Sequence, residues 1–194
     1  MRWEQASRKL KKLKDIIPNI ITVTRMFLFL LVALAIIRNC KEIEILFCTA
    51  LIYISDLLDG YMARILNAAS LLGRRLDVMA DGLYVVGITG IFTYRALISP
   101  IVLVSIIVEY LFFVFTAKIL SSREHHIYDM VGRFVAGYYY IFTGILIIIW
   151  IRDLSVAMLL YQLSLVCVGL TVIGCVCRLW TIYIRILKGR IRHE

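Results

Sequence analysis

Long apolar runs, separated by short polar segments, make up most of the chain after residue 18. A helix that crosses a bilayer needs about 20 predominantly apolar residues, and six runs come close to that length. They cover residues 19–37, 43–64, 74–94, 99–117, 134–151 and 154–177. The pattern therefore predicts an all-α integral membrane protein with six transmembrane helices.

The segment before the first run is basic and amphipathic, which predicts a juxtamembrane helix in the membrane interface over residues 3–17. Its basic residues include Arg8, Lys9, Lys11, Lys12 and Lys14. Its apolar anchors are Trp3, Leu10, Leu13, Ile16 and Ile17. The alternative is a basic flank that only directs insertion, and both interpretations place the segment on anionic lipid. We thus expect an interfacial helix at 1–18, a transmembrane domain at 19–177 and a basic tail at 178–194.

The distribution of Lys and Arg predicts the orientation of the helices. Seventeen of the 22 basic residues fall in segments 1–18, 64–75, 118–133 and 178–194, whereas four fall in the connections on the other side. Cytoplasmic segments of membrane proteins carry the excess of Lys and Arg. We therefore expect both termini in the cytosol.

Composition supports the membrane assignment. The chain is 62% hydrophobic and 18% charged, whereas soluble domains are about 25% charged. Its 194 residues leave no room for a catalytic domain beside a separate anchor. Four of the five cysteines lie in apolar runs, where cysteine behaves as a small hydrophobe, so they say little about disulfides. We expect no cysteine metal site.

Four of the seven aspartates lie in two consecutive predicted helices, where charge is costly and points to function. Asp56 and Asp59 are three residues apart, and Asp77 and Asp81 are four apart, so each pair shares one helix face. The second helix runs inward and the third outward, so both pairs lie at cytosolic ends joined by a short loop. Four converging carboxylates repel one another, and a divalent cation with oxygen ligands would relieve that repulsion.

Small residues accompany these acids on the same faces. Gly60 and Ala63 follow the first pair at helical spacing, and Gly73 precedes Asp77 by one turn. They permit close helix packing, or alternatively the close approach of a base or phosphate to the backbone. Arg64, at the end of the second helix, can pair with a phosphate oxygen.

Together these residues resemble the signature of the CDP-alcohol phosphatidyltransferase family, D-x2-D-G-x2-A-R-x8-G-x3-D-x3-D. All eight fixed positions are filled, from Asp56 to Asp81, at the right spacing. The stretch 17–25, Ile-Pro-Asn-Ile-Ile-Thr-Val-Thr-Arg, is also similar to the family's opening, N-x-x-T-x-x-R. The resemblance covers the whole plan of an amphipathic helix followed by six spans.

The resemblance implies an enzyme that displaces CMP from a CDP-linked lipid with an alcohol, using two Mg²⁺ or Mn²⁺ ions. It implies that Asp56, Asp59 and Asp77 hold the ions and that Asp81, beside the second ion, is the general base, a further metal ligand or both. The substrate-binding residues that it implies are Asn19, Thr22, Gly60, Arg64 and Ser70. For Thr22 and Ser70, helix packing or capping is the alternative.

The opening stretch looks most like phosphatidylglycerophosphate synthases, so glycerol 3-phosphate is the expected acceptor. Inositol phosphate, serine and a second phospholipid such as phosphatidylglycerol remain alternatives, because Val78 and Gly82 stand where those synthases commonly have Pro and Lys. Arg123, Arg133 and Arg178 lie at cytosolic helix ends. They either bind a phosphorylated acceptor or only set topology.

The expected partners are CDP-diacylglycerol, the acceptor, membrane lipids and, by resemblance, a second copy in a homodimer; we expect no nucleic acid. The expected location is a bacterial cell membrane. A divalent cation transporter is the alternative from another class, but it would need acids distributed along a path. Glu109, in the middle of the fourth span, is the deeper acid, and we expect it to be paired or protonated rather than catalytic.

Overall fold

The computed structural model describes the backbone of residues 2–65, 71–120, 130–154 and 156–191. It describes side chains at residues 20–58, 61–62, 65, 73, 76–116, 131–154 and 156–184. These parts of the chain form six α-helices and contain no strand, which confirms the all-α prediction. The helices are α1 (Arg2–Ile37), α2 (Glu42–Ile65), α3 (Leu71–Tyr94), α4 (Pro100–Leu120), α5 (Met130–Ile151) and α6 (Ala157–Ile191).

Two helices are much longer than the apolar runs that predicted them. α1 is continuous from Arg2 to Ile37, so the predicted interfacial segment and the first predicted span belong to one helix that passes through Pro18. α6 begins at Ala157 and continues to Ile191, beyond the apolar run that ends at residue 177. An apolar run reports the lipid-facing part of a helix, whereas the backbone hydrogen bonds continue into polar residues. That 3–17 lies in the membrane interface stays a prediction.

Four stretches of the described helices are long and apolar enough to cross a membrane: Ile20–Ile37, Leu76–Tyr94, Val131–Ile151 and Ala157–Ile184. α4 contributes a shorter apolar stretch, Pro100–Thr116. Large apolar side chains cover much of their outer faces, such as Phe27 and Leu34 on α1 and Ile141 on α5. An extensive apolar exterior is what lipid contact requires, so the chain has the character of an integral membrane protein.

Three helices end in the same hydrogen-bonded cap. Two residues after the ends of α1, α3 and α5 stand Asn39, Ala96 and Asp153, each with a positive φ of 46–57°. After α3, the Ala96 N–H donates to the Thr93 carbonyl and the Leu97 N–H to the Phe92 carbonyl, both at 3.0 Å. This pattern is the Schellman motif, which satisfies the last carbonyls of a helix and reverses the chain within a short loop.

The start of α4 is determined by the residues at its amino-terminal end. Ser99 precedes the helix, and its carbonyl accepts a hydrogen bond from the Val102 N–H at 3.0 Å. Pro100 is the first helical residue, where its missing N–H costs nothing. A five-residue connection, from residue 95 to the cap at Ser99, therefore separates α3 from this helix start.

The chain forms two compact units, residues 1–91 and 92–194, called here the amino-terminal and carboxy-terminal units. In the amino-terminal unit α1 packs along α2. Its fully buried side chains come from all three helices and include Val32, Ile36, Ile45, Ile52, Tyr84 and Ile88. On α3, Gly87 leaves room for the ring of Phe29, since a Cβ at Gly87 would collide with that ring. The glycine thus lets the Phe29 ring of α1 pack against the backbone of α3.

In the carboxy-terminal unit α6 packs against both α4 and α5. Its core is aliphatic and aromatic, with Phe142, Leu146 and Ile147 fully buried on α5. Two hydroxyls inside it are hydrogen-bonded to each other: Tyr139 Oη and Thr171 Oγ1 lie 2.6 Å apart, which joins α5 to α6. This contact satisfies both groups in an apolar interior, as burial requires.

Candidate active site

Three of the four predicted aspartates meet in the amino-terminal unit. Asp56 comes from α2, and Asp77 and Asp81 come from successive turns of α3. One carboxylate oxygen of each lies within 4.8 Å of the other two. Residues four apart on a helix share a face, and that face of α3 is turned towards the end of α2. The sequence prediction that the two acidic faces meet is confirmed for these three residues.

A buried arginine lies at the point where these carboxylates converge. Nη1 of Arg25, on α1, is 3.0 Å from Asp56 Oδ1 and 2.9 Å from both Asp77 Oδ1 and Asp81 Oδ1. One nitrogen therefore contacts one oxygen of every carboxylate. We call Asp56, Asp77 and Asp81 the aspartate triad.

The triad and its arginine differ sharply in exposure. The Arg25 side chain is 1% exposed, whereas the side chains of Asp56, Asp77 and Asp81 are 39%, 45% and 41% exposed. The guanidinium thus approaches from inside the unit, and the carboxylates keep an accessible side. With all three acids ionised, the four groups carry a net negative formal charge, because one guanidinium cannot balance three carboxylates. A cation that reaches the open side would complete the neutralisation.

Aromatic side chains border the site, one helical turn away from Arg25 and the aspartate triad. Each of the three helices contributes one ring: Phe29, Tyr53 and Tyr84. Tyr84 is fully buried and makes edge-to-face contacts with both of the others, at centroid distances of 6.3 and 6.2 Å. Such contacts add to the burial energy of the rings. The polar site therefore has an apolar wall on one side, which excludes water from behind the triad.

The remaining predicted site residues are described to different extents. Thr22 is buried on α1, one turn before Arg25, and thus on the same face as the arginine. Asn19, Asp59, Gly60 and Arg64 belong to α1 and α2 by their backbone. Their side chains lie outside the described residues. Ser70 lies outside the described residues altogether, as does Arg123 among the predicted acceptor cations.

A second buried ion pair lies in the carboxy-terminal unit. Nη1 of Arg178 on α6 is 2.8 Å from Oε1 of Glu109 on α4, and both side chains are at most 7% exposed. Cys175 donates to Glu109 Oε2 at 3.3 Å. Gly174 provides the space, because a Cβ there would stand 2.7 Å from Glu109 Oε1. Glu109 thus has the partner that we expected for it, and the charge of Arg178 is engaged in a helix-to-helix contact.

Arg25 was not among the site residues predicted from the sequence. It is the one charged residue in the apolar run 19–37, and an ionisable residue in such a run is a functional candidate by default. That signal could have marked it. Its partners could not have been identified in this way, since they lie 31 to 56 residues further along the chain.

Comparison with known proteins shows to which family the chain belongs. A search of curated proteins found no significant match to the chain. The family model described as CDP-alcohol phosphatidyltransferase matches residues 15–185, which is most of the chain and includes Arg25 and the whole aspartate triad. The protein therefore belongs to the CDP-alcohol phosphatidyltransferase family, enzymes that transfer a phosphatidyl group from a CDP-alcohol to an acceptor in phospholipid biosynthesis.

Proposed function

We propose that this protein transfers the phosphatidyl group of CDP-diacylglycerol to glycerol 3-phosphate and releases CMP. The observation that carries the proposal is the convergence of three carboxylates from two helices in a chain of this family. The choice of acceptor rests on the resemblance of residues 17–25 to phosphatidylglycerophosphate synthases. Inositol phosphate, serine and phosphatidylglycerol are the acceptors to test against it.

The donor atoms of the triad fit a divalent cation. They are carboxylate oxygens, which Mg²⁺ and Mn²⁺ prefer as ligands. The guanidinium nitrogen of Arg25 already acts as a stand-in cation among the same three oxygens. The family uses divalent metal ions. We therefore assign Asp56, Asp59, Asp77 and Asp81 to a site for two Mg²⁺ or Mn²⁺ ions, which would supply charge neutralisation at the diphosphate.

We assign the proton transfer to Asp81. The acceptor hydroxyl oxygen attacks the phosphorus that carries the diacylglycerol, and its proton passes to the carboxylate of Asp81. A new P–O bond forms to the acceptor, and the bond from that phosphorus to the bridging oxygen of the diphosphate breaks. CMP leaves with the bonding electron pair. The open side of Asp81, at 41% exposure, gives an acceptor access to the carboxylate.

We assign the nucleotide to the surroundings of the triad. Gly60 would leave space for the cytidine, Arg64 would bind the diphosphate, and Ser70 would donate its hydroxyl to a phosphate oxygen. Asn19 and Thr22, one turn apart on α1, would line the same pocket. Thr22 lies one turn before Arg25 on α1, and Arg25 contacts the triad.

We propose that the site faces the cytosol, with both termini on that side, because most Lys and Arg residues lie there in the predicted topology. The acyl chains of the lipid substrate would then stay in the bilayer while its headgroup reaches the acids. A homodimer and a bacterial membrane stay predictions.

The test is a panel of acceptors. Purified protein in mixed micelles receives CDP-diacylglycerol and one acceptor at a time, with Mg²⁺ or Mn²⁺ present; CMP release and the lipid product are measured. We expect CMP release with glycerol 3-phosphate and none after chelation of the metal. Release with another acceptor alone would correct the substrate. Metal flux into proteoliposomes with no CMP release for any acceptor would contradict the enzyme and favour a transporter.

A further inference from the structure

Arg25 places a positive charge inside a site whose carboxylates are suited to bind cations. It is a positive charge, almost completely buried, whose Nη1 contacts one oxygen of each member of the aspartate triad at 2.9–3.0 Å. These are oxygens that a divalent cation needs as ligands. The guanidinium and the metal ion therefore compete for the same carboxylate oxygens.

The helix context makes this contact a property of the fold. Arg25 lies on α1, one turn before Phe29. The Phe29 ring packs against Tyr84 and occupies the space left by Gly87. Asp77 and Asp81 lie on α3, two turns and one turn before Tyr84, respectively. The aromatic contact thus fixes the position of α1 along the axis of α3, and this position brings Arg25 next to the carboxylates.

We propose that Arg25 is an internal counter-cation of the triad, which holds the three carboxylates together in the metal-free protein and yields their oxygens to the incoming divalent ion. A guanidinium neutralises part of the charge of the triad and prevents its carboxylates from repelling one another. A divalent ion brings twice the charge and binds carboxylates more closely than an N–H donor. Arg25 therefore sets the metal affinity: it competes with the ion and keeps the empty site assembled.

This inference rests on the proposed use of a divalent metal at the triad, and it adds a positioning role for a residue outside the ligand set. It predicts an effect of unusual sign. Removal of a residue that touches an active site normally weakens binding there, but removal of a competing cation strengthens it.

The experiment measures Mn²⁺ binding by the electron paramagnetic resonance signal of free Mn²⁺, with the full-length protein in detergent. We expect Arg25→Met to lower the Kd for Mn²⁺ by about tenfold or more, which corresponds to about 1.4 kcal/mol per factor of ten. Arg25→Lys keeps the positive charge, and its Kd should stay closer to the native value. Arg25→Gln is a second neutral variant, with a polar side chain, and should follow Arg25→Met.

Thermal unfolding gives a second readout. Without metal, Arg25→Met should unfold at a lower temperature than the native protein, because its carboxylates lose their counter-charge. Saturating Mn²⁺ should raise its unfolding temperature by more than it raises that of the native protein. Both neutral variants can be purified with Mn²⁺ present and then stripped of it.

Arg178→Met is the matched control. Arg178 is also a buried arginine in an ion pair, 6% exposed, but its partner is Glu109 in the other unit. Its removal should lower stability and leave the Kd for Mn²⁺ unchanged.

The outcomes separate this proposal from the proposed function. If the native protein releases CMP with metal and both neutral Arg25 variants bind Mn²⁺ equally or more weakly, the counter-cation role is wrong while the proposed function stands. If native and variant proteins all fail to bind Mn²⁺ and release no CMP, the metal-dependent function itself is wrong.

Discussion

The buried pair of Glu109 and Arg178 offers a direct test of how this fold carries charge in an apolar interior. The perturbation is Glu109→Gln, which removes the negative charge but keeps the shape that fits over Gly174. Arg178 would then be a buried cation without its carboxylate, held by its hydrogen bond to the Glu109 backbone carbonyl at 3.3 Å.

The magnitude follows from the separation of the charges. At 2.8 Å and an effective dielectric constant of about 20, two unit charges attract by about 6 kcal/mol. Much of that attraction offsets the loss of hydration, and removal of one partner of a buried pair costs about 3–5 kcal/mol. Because Gln can still accept a hydrogen bond from Arg178, we expect a cost near the lower figure, about 3 kcal/mol.

The assay is reversible unfolding by sodium dodecyl sulfate in mixed micelles, with Glu109→Gln, Arg178→Met and the double variant compared with the native protein. The double variant carries no unpaired buried charge, so its loss should be smaller than the sum of the single losses by at least about 1 kcal/mol. CMP release per folded molecule should stay near the native value in Glu109→Gln, since the pair lies apart from the aspartate triad in sequence and unit. Losses that add within about 0.5 kcal/mol would refute the coupling.

Two further predictions concern the helices themselves. Gly87→Ala places a methyl group against the ring of Phe29 and should destabilise the protein by about 1–3 kcal/mol, whereas Gly90→Ala, with open space around it, should not; equal effects in thermal unfolding would contradict the contact between the Phe29 ring and the Gly87 backbone. Ala96→Gly relieves a left-handed conformation at φ 57° and should stabilise the protein by about 1 kcal/mol, while the control Ala136→Gly inside α5 should destabilise it by a similar amount. A loss of stability in Ala96→Gly would contradict the cap.

The extent of the helices was largely predictable from the sequence. Apolar runs locate all six helices, and the ends at Ile37, Tyr94 and Ile151 agree with the structure because an arginine follows directly after each. The extension of α6 to Ile191 was missed, because the predicted span stopped before Arg178 although the apolar stretch continues to Ile184. The caps at Asn39, Ala96 and Asp153 carry no glycine, so the usual sequence sign of such a cap is absent.

The site was predictable where it follows helical periodicity. Spacings of three and four residues place the aspartates on shared faces, and the structure brings Asp56, Asp77 and Asp81 together. The contact of Arg25 with them depends on how α1 packs against α3, which periodicity within one helix does not encode. The pairing of Glu109 with Arg178, 69 residues apart, is long-range in the same way.

The most direct test of the central claim is CMP release from CDP-diacylglycerol by Asp81→Asn at saturating Mg²⁺ or Mn²⁺, measured beside the native protein and Glu109→Gln. Because a positioned general base contributes about 10²–10⁴ in rate, we expect Asp81→Asn to lose at least about a hundredfold while it unfolds no earlier than Glu109→Gln. Turnover within a few-fold of the native rate in a folded Asp81→Asn protein would contradict the assignment of the triad as the catalytic site.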